Sequence, residues 1–257
     1  MAANERVNSI KHTITHQTSP RKLAIATGVF FLITHVTSIP AVFLYGPVVD
    51  HADYILGSGS EARVLVGVLL EVILGFAMVG SAVALYPVVR RHNESLALGY
   101  VGLRTLEAGV IAVGVIPLLA IVTLRQDLAG TAGTDPTTLV ALGKALVSFH
   151  DWTFVVGPGL TSPANTVTMA YLLYKSGLVP RFIPVMGLIG GPLIFVSNVA
   201  KLFGLYEGMP ALVSIAVLPI LAWEVTLAVW LITKGFRSSA TLAEPAPTPA
   251  AELYSAA

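Results

Sequence analysis

Cysteine is missing altogether, which excludes disulfides and thiolate chemistry while leaving the compartment open. Charge is scarce too: Asp, Glu, Lys and Arg make up 11% of the chain, against about 25% in soluble domains. So sparse a set cannot coat a globular surface, and the solvent that suits this chain is a lipid bilayer. The formal net charge is +1, which leaves no bulk electrostatic case for nucleic acid as a partner. Within the apolar segments there is no HExxH or HxxxH pairing of metal ligands and no nucleophile signature. A metal would require His35 and His150 to converge from separate helices, and no cofactor is expected.

What the chain has in quantity is apolar residue: 55% of it is hydrophobic, with a mean hydropathy of +0.79. A spanning helix needs roughly 20 mostly apolar residues. Six such runs occur, at about 22–45, 63–89, 97–124, 141–174, 181–205 and 211–234. This pattern describes an all-α, polytopic integral membrane helix bundle of six transmembrane helices within residues 21–237. A polar tail, 1–20, precedes it and a Pro/Ala-rich tail, 238–257, follows; both are expected to be disordered. The first run, Leu23 to Tyr45, is too long for the apolar core of a signal peptide and lacks a small-residue cleavage site after it. It is therefore expected to stay in the membrane.

Arg6, Lys11, Arg21, Lys22, Arg90, Arg91, Lys175, Arg181, Lys234 and Arg237 fall on one side of the six spans. Only Arg63, Arg125 and Lys144 fall on the other. The excess of positive charge places both termini in the cytoplasm, as an even number of spans requires. The fourth run is too long for a simple span. As unbroken helix it would extend about 51 Å at 1.5 Å per residue, against about 30 Å of hydrocarbon. Gly157-Pro158-Gly159, followed by Ser162-Pro163, predicts a break there, since proline removes a donor and clashes with the preceding turn. Unwound backbone at membrane depth survives only against protein or a wet cavity, so this stretch should face the bundle interior. A plain proline kink satisfied by neighbouring hydroxyls is the alternative.

The candidates for chemistry are the ionisable residues inside the spans: His35, Glu71, Arg104, Glu107, His150, Asp151 and Glu224. Each ionised side chain left facing lipid at mid-helix costs about 2.5–3.5 kcal/mol. Five of them would cost on the order of 10–15 kcal/mol, as much as a domain's whole stability. They are expected to turn inward. Gly67 and Gly75, one turn either side of Glu71, let a neighbouring helix approach that face. Arg104 and Glu107, three residues apart, share a face and suit an ion pair. Glu71, Asp151 and Glu224 are then left with no fixed cation beyond His35 and His150. A cavity gathering these acids must hold extra protons, charged histidines or a bound cation.

The bland reading of the same residues is a polar network that fixes helix register, and for Asn165 and Asn198 it is the preferred one. Trp152 beside Asp151, and Trp223 beside Glu224, could wall an apolar pocket, stack on a cationic ligand, or simply pack. Gly187 and Gly191 stand in GxxxG spacing, which suits close helix packing within the bundle or across a homodimer interface.

Several strings taken together carry a resemblance: SPRKLAIATGVFFLITHVTSIPAVFLY, RVLVGVLLEVILGFAMVGSAVALYPVVRR, GYVGLRTLEAGVI, HDWTFVVGPG, YLLYKSGLVPRFIPVMGLIGGP and LAWEVTLAVWLITKGF. Over about residues 19 to 237 the chain resembles the bacterial family catalogued as domain of unknown function 4386. The resemblance implies a multi-pass protein of a bacterial cytoplasmic (inner) membrane and implies no activity. From the residues, two functional classes remain. One is a protein that binds or transports a small ligand, proton or cation through a shared acidic and histidine cavity. The other is an intramembrane hydrolase with a Glu or His general base and an optional metal. A structural or regulatory membrane protein with a satisfied polar core is a third possibility.

Overall fold

The computed structural model describes residues 19–51, 53–57, 59–128, 135–205 and 210–237, the side chains of 210–216 excepted. The two expected tails lie almost wholly outside these residues. No strand occurs among the described residues; six helical segments follow one another instead. They are α1 (Pro20–Asp50), α2 (Glu61–Val89), α3 (Glu94–Asp127), α4 (Pro136–Ser176), α5 (Phe182–Leu202) and α6 (Pro210–Thr233). The first five are long and apolar enough to cross a membrane, and α6 contributes a shorter apolar stretch over Val217–Thr233.

Each segment runs past its apolar stretch to a local stop or start signal. Pro20 opens α1, where its missing N–H leaves nothing unpaired. The Asn93 side chain opens α3 by accepting the Leu96 N–H at 2.9 Å. Asp135 opens α4 by accepting from the Thr137 and Thr138 N–H groups at 3.2 and 3.1 Å, and from the Thr138 hydroxyl at 2.8 Å. Those bonds, the Thr138 hydroxyl foremost, hold the solvent-exposed Asp135 carboxyl below its ordinary range.

Short connections make consecutive helices antiparallel neighbours, and α6 returns to pack on α1, closing a ring. Arg21 at the start of α1 ties that closure. Its guanidinium donates to the carbonyls of Leu231, Ile232 and Thr233, the last carbonyls of α6, at 3.2, 2.6 and 3.3 Å. On the other side of the bundle Arg125 of α3 lies 4.2 Å from the centre of the Tyr54 ring and donates to the Gly59 carbonyl. The link between α1 and α2 is pinned by these contacts.

The bundle is apolar outside and buries a few polar groups within an apolar core. Phe43 and Phe76 are about three-quarters exposed, amid a belt that includes Val36, Leu69, Leu106, Ile189 and Val196. Glu71, Arg104, Glu107, His150 and Asn165 are buried. A water-soluble monomer could not keep so wide an apolar surface uncovered. A bilayer covers it without cost, and this is a membrane protein.

The fourth segment breaks its α-helical bonding at Gly157-Pro158-Gly159, but the chain does not unwind. It widens into a π-helical stretch, Val155–Thr161, and returns to α-helix at Ser162 with Pro163 in the first turn. Proline's missing donor is absorbed by the wider turn, and the Thr161 hydroxyl donates to the Val156 carbonyl at 2.8 Å. As expected from its backbone, the stretch faces protein: Gly157, Gly159, Ser162 and Pro163 are all buried.

Candidate functional site

Four of the candidate residues meet in one place. His35 sits halfway along α1, Arg104 and Glu107 share a face of α3, and Glu224 comes from α6. Arg104 Nη1 lies 3.1 Å from Glu107 Oε2 and 3.7 Å from Glu224 Oε1, so one guanidinium bridges two carboxylates. Nε2 of His35 is 3.3 Å from Glu224 Oε2. From α4, the Asn165 amide donates to Glu107 Oε2 at 2.6 Å. The Arg104 guanidinium also lies over the Phe31 ring of α1, 5.5 Å from its centre.

Proton positions follow from these contacts. Nδ1 of His35 is 2.8 Å from the Phe31 carbonyl, which can only accept, so Nδ1 carries a hydrogen. Nε2 and Glu224 Oε2 would then face each other as two lone pairs unless one of them also holds a proton. With that proton, Arg104, Glu107, Glu224 and His35 sum to neutrality. Without it they carry one net negative charge.

This cluster lines a cavity of about 310 Å³. Its walls are otherwise mostly apolar: Ile39 from α1, Leu74 and Met78 from α2, Ile111 from α3, Ile194 from α5, and Val217, Ile220 and Leu221 from α6, with the hydroxyl residues Thr34 and Ser38 of α1 among them. Pro158, in the middle of the π-helical turn, and Ser162, just after it, complete the lining.

The remaining candidates do not join this cluster, and the single shared acidic cavity of the sequence reading is corrected to two polar sites. Glu71 is buried in the other half of the bundle, where its Oε1 accepts from the Tyr45 hydroxyl at 2.8 Å. Gly67 eases this approach: a Cβ there would stand 3.1 Å from the Tyr45 ring and 3.3 Å from the Ala41 carbonyl, so a larger residue would push on both where α1 and α2 meet. The Tyr45 ring in turn meets the His150 ring edge-on, with centres 5.1 Å apart. His150 does not pair with an acid; its Nδ1 bonds the Gly114 carbonyl at 2.8 Å, where the helical ladder of α3 is interrupted before Pro117. Beyond these rings a second cavity, about 460 Å³, opens at the end of α1, with Asp50, His51, His150, Asp151 and Lys201 among its lining. Leu74, Met78, Ala108 and Ile111 form a buried apolar layer between Glu71 and Glu107.

Neither tryptophan singled out in the sequence lines either of these two cavities. Trp152 is half exposed on the outer surface. Trp223 is fully buried against Gly187, where a Cβ would stand 2.9 Å from its ring. The neighbour of an acid along a helix points roughly 100° away from it, because i and i+1 do not share a face. Gly187 meets Ala170 and Trp223, and Gly191 meets Val167 and the Pro163 carbonyl, so the GxxxG pair serves packing inside the bundle. Among the described residues no group of three or more His, Asp or Glu is placed to hold a metal.

The sequence reading passed over two partners. Tyr45 was not among the candidates, and its hydroxyl supplies the donor to the buried Glu71 carboxylate. Asn165, assigned to a polar network that fixes helix register, is the direct donor to Glu107. Its only sequence signal is an amide at mid-membrane, eight residues after Gly157.

A family model described as "Domain of unknown function (DUF4386)" matches residues 26–235, and the chain belongs to that family. No curated protein and no solved structure matches it.

Proposed function

We propose that this DUF4386 protein binds a small ligand in its mid-membrane cavity in exchange for, or together with, one proton, as a transporter or membrane receptor does. The observation that carries this is the convergence of His35, Arg104, Glu107 and Glu224, from three helices, on one 310 Å³ space. Pockets for small ligands run from about 300 to 1,000 Å³ and pair apolar walls with a few convergent polar groups. Ionisable residues at mid-depth beside an irregular helix are typical of transport sites. The apolar layer of Leu74, Met78, Ala108 and Ile111 supports a gate between this cavity and the one beyond Tyr45 and His150. The ten-to-three division of Lys and Arg supports both termini lying in the cytoplasm, across a bacterial inner membrane.

A cluster one proton short of neutrality would place a net charge in hydrocarbon, costing about 2.5–3.5 kcal/mol at mid-depth. Occupancy of that proton position is therefore coupled to stability. In detergent micelles the thermal midpoint should change with pH through a step of one proton, and Glu224→Gln should abolish the step. A wild-type profile that Glu224→Gln leaves unaltered would overturn this function.

A further inference from the structure

We infer that the ligand of the mid-membrane cavity is a small lipophilic organic cation that enters sideways from the lipid and displaces the proton held between His35 and Glu224. This rests on the reading of the cavity as a ligand site.

Three observations on the cavity carry the chemistry. The first is charge. The groups facing the His35–Glu224 contact are Arg104, Glu107 and Tyr100 from α3 and Asn165 from α4, while α2 presents Leu74 and Met78. Arg104 is already divided between two carboxylates. Removing the shared proton leaves one uncompensated negative charge, which a monovalent cation restores and an anion or neutral molecule does not. The second is the lining. The charge is gathered in one cluster, and apart from the hydroxyl residues Thr34, Ser38 and Ser162 the rest of the wall is aliphatic, proline or methionine, which suits one charged group on a mainly apolar body. The third is access. Ile39 of α1 and Val217 of α6 line the cavity and are also 49% and 45% exposed on the outer, apolar surface of the bundle. The cavity therefore reaches the belt that meets acyl chains, between the two helices that close the ring. Arg104 adds a finer preference. Its Nε is buried with no acceptor among the described residues, so an oxygen near the cationic group of the ligand would be bound better than a plain hydrocarbon.

The exchange balances in charge: one cation enters, one proton leaves the His35–Glu224 pair to water, and no covalent bond changes. The test uses the full-length protein in dodecyl maltoside micelles and three probes with the same eight-carbon chain: octyltrimethylammonium, octanoate and octyl glucoside. Calorimetry should show the cation binding at least about tenfold more tightly than either other probe, and a pH dye in weak buffer should show about one proton released per cation bound. Tetramethylammonium, with the charge and no chain, should bind at least about tenfold more weakly than octyltrimethylammonium. Glu224→Gln should lose both the binding and the release. Equal affinity for octanoate or octyl glucoside, cation binding without proton release, or a short cation binding as well as a long one would each overturn the inference. If Glu224→Gln does not fold, the wild-type probe series decides alone. Failure of the cation series while the one-proton stability step persists would reject this ligand class and leave the cavity reading standing. Loss of both would reject both.

Discussion

Nε2 of His35 stands 3.3 Å from Oε2 of Glu224, with the other ring nitrogen already bonded to the Phe31 carbonyl. Two residues from opposite ends of the chain thus face each other at a distance that one proton, on the function proposed above, would bridge. The imidazole signals of His35 in an NMR titration and the carboxylic-acid band of Glu224 in the infrared should change together, in one step. Glu224→Gln should remove the infrared change and move the His35 transition. A His35 titration indifferent to Glu224→Gln would show that the contact carries no proton.

Arg104 has the largest expected effect on stability. It neutralises two buried carboxylates at once, and removing one partner of a buried pair costs about 3–5 kcal/mol because the other is left uncompensated. Arg104→Met should lower unfolding free energy by about that amount in mixed-micelle denaturation. Adding Glu107→Gln to Arg104→Met should recover part of the loss, since one of the stranded charges goes with it. If the double variant is as unstable as the two single losses summed, Arg104 and Glu107 are not coupled and the ion pair is incidental.

The second site depends on a close approach of two helices. Tyr45→Phe removes the donor to Glu71 and should cost about 1–3 kcal/mol, the penalty for a buried acceptor losing its partner. Gly67→Val acts through space rather than chemistry, pushing on the Tyr45 ring and the Ala41 carbonyl, at about 1–3 kcal/mol of overpacking. In Gly67→Val the further change Tyr45→Phe should cost little, because the hydroxyl no longer reaches Glu71. Full additivity in thermal unfolding would show that Gly67 does not position Tyr45.

How much of this was legible in the sequence divides along a physical line. The six segments were, because hydrocarbon imposes length and apolarity on each helix separately, and a single chain shows that directly. The Arg104–Glu107 pair was too, since a spacing of three fixes a shared face within one helix. Which helix faces which is set by packing across the ring, and that is why Glu71 and Glu224 were expected in one cavity, whereas Glu224 lines the mid-membrane cavity and Glu71 is buried apart from it against Tyr45. Of the readings left open for the tryptophans, Trp223 takes plain packing, since neighbours along a helix do not share a face with the acid beside them. Gly157-Pro158-Gly159 announced irregular backbone, but composition does not distinguish unwinding from a wider helical turn.

Outside the membrane, Asp135 gives a pH dependence of defined sign. Its carboxyl is held below the ordinary range by the Thr138 hydroxyl and the N–H groups of Thr137 and Thr138. A depressed folded value means the cap stabilises the start of α4 at pH above the unfolded value of about 3.9. That stabilisation is lost as pH falls through the folded value. Amide protection at the first turn of α4, taken relative to the intrinsic exchange rate at each pH, should therefore be high near neutrality and fall in acid, while in Asp135→Ala it should be low throughout. Protection in Asp135→Ala equal to wild type near neutrality would show that the cap contributes nothing.

The π-helical turn makes the last prediction, because it sets how the two halves of α4 face. A π turn holds one residue more than the α-helix it interrupts, so it rotates everything after it by about 100° relative to a continuous helix. His150 lies before the turn and reaches the Gly114 carbonyl; Asn165 lies after it and reaches Glu107. Deleting one residue of the turn, with Val156 the natural choice because it is half exposed, should restore α-helical bonding and break one of these contacts. Loss of the Asn165 bond to a charged acceptor costs about 1.5–3 kcal/mol, and Asn165→Ala measures that cost in the intact chain. In the deletion variant Asn165→Ala should cost almost nothing further, because the amide has already turned away from Glu107. An undiminished Asn165→Ala penalty in the deletion variant would mean that α4 keeps its facing by other contacts, and that the turn does not set the register between the two polar sites.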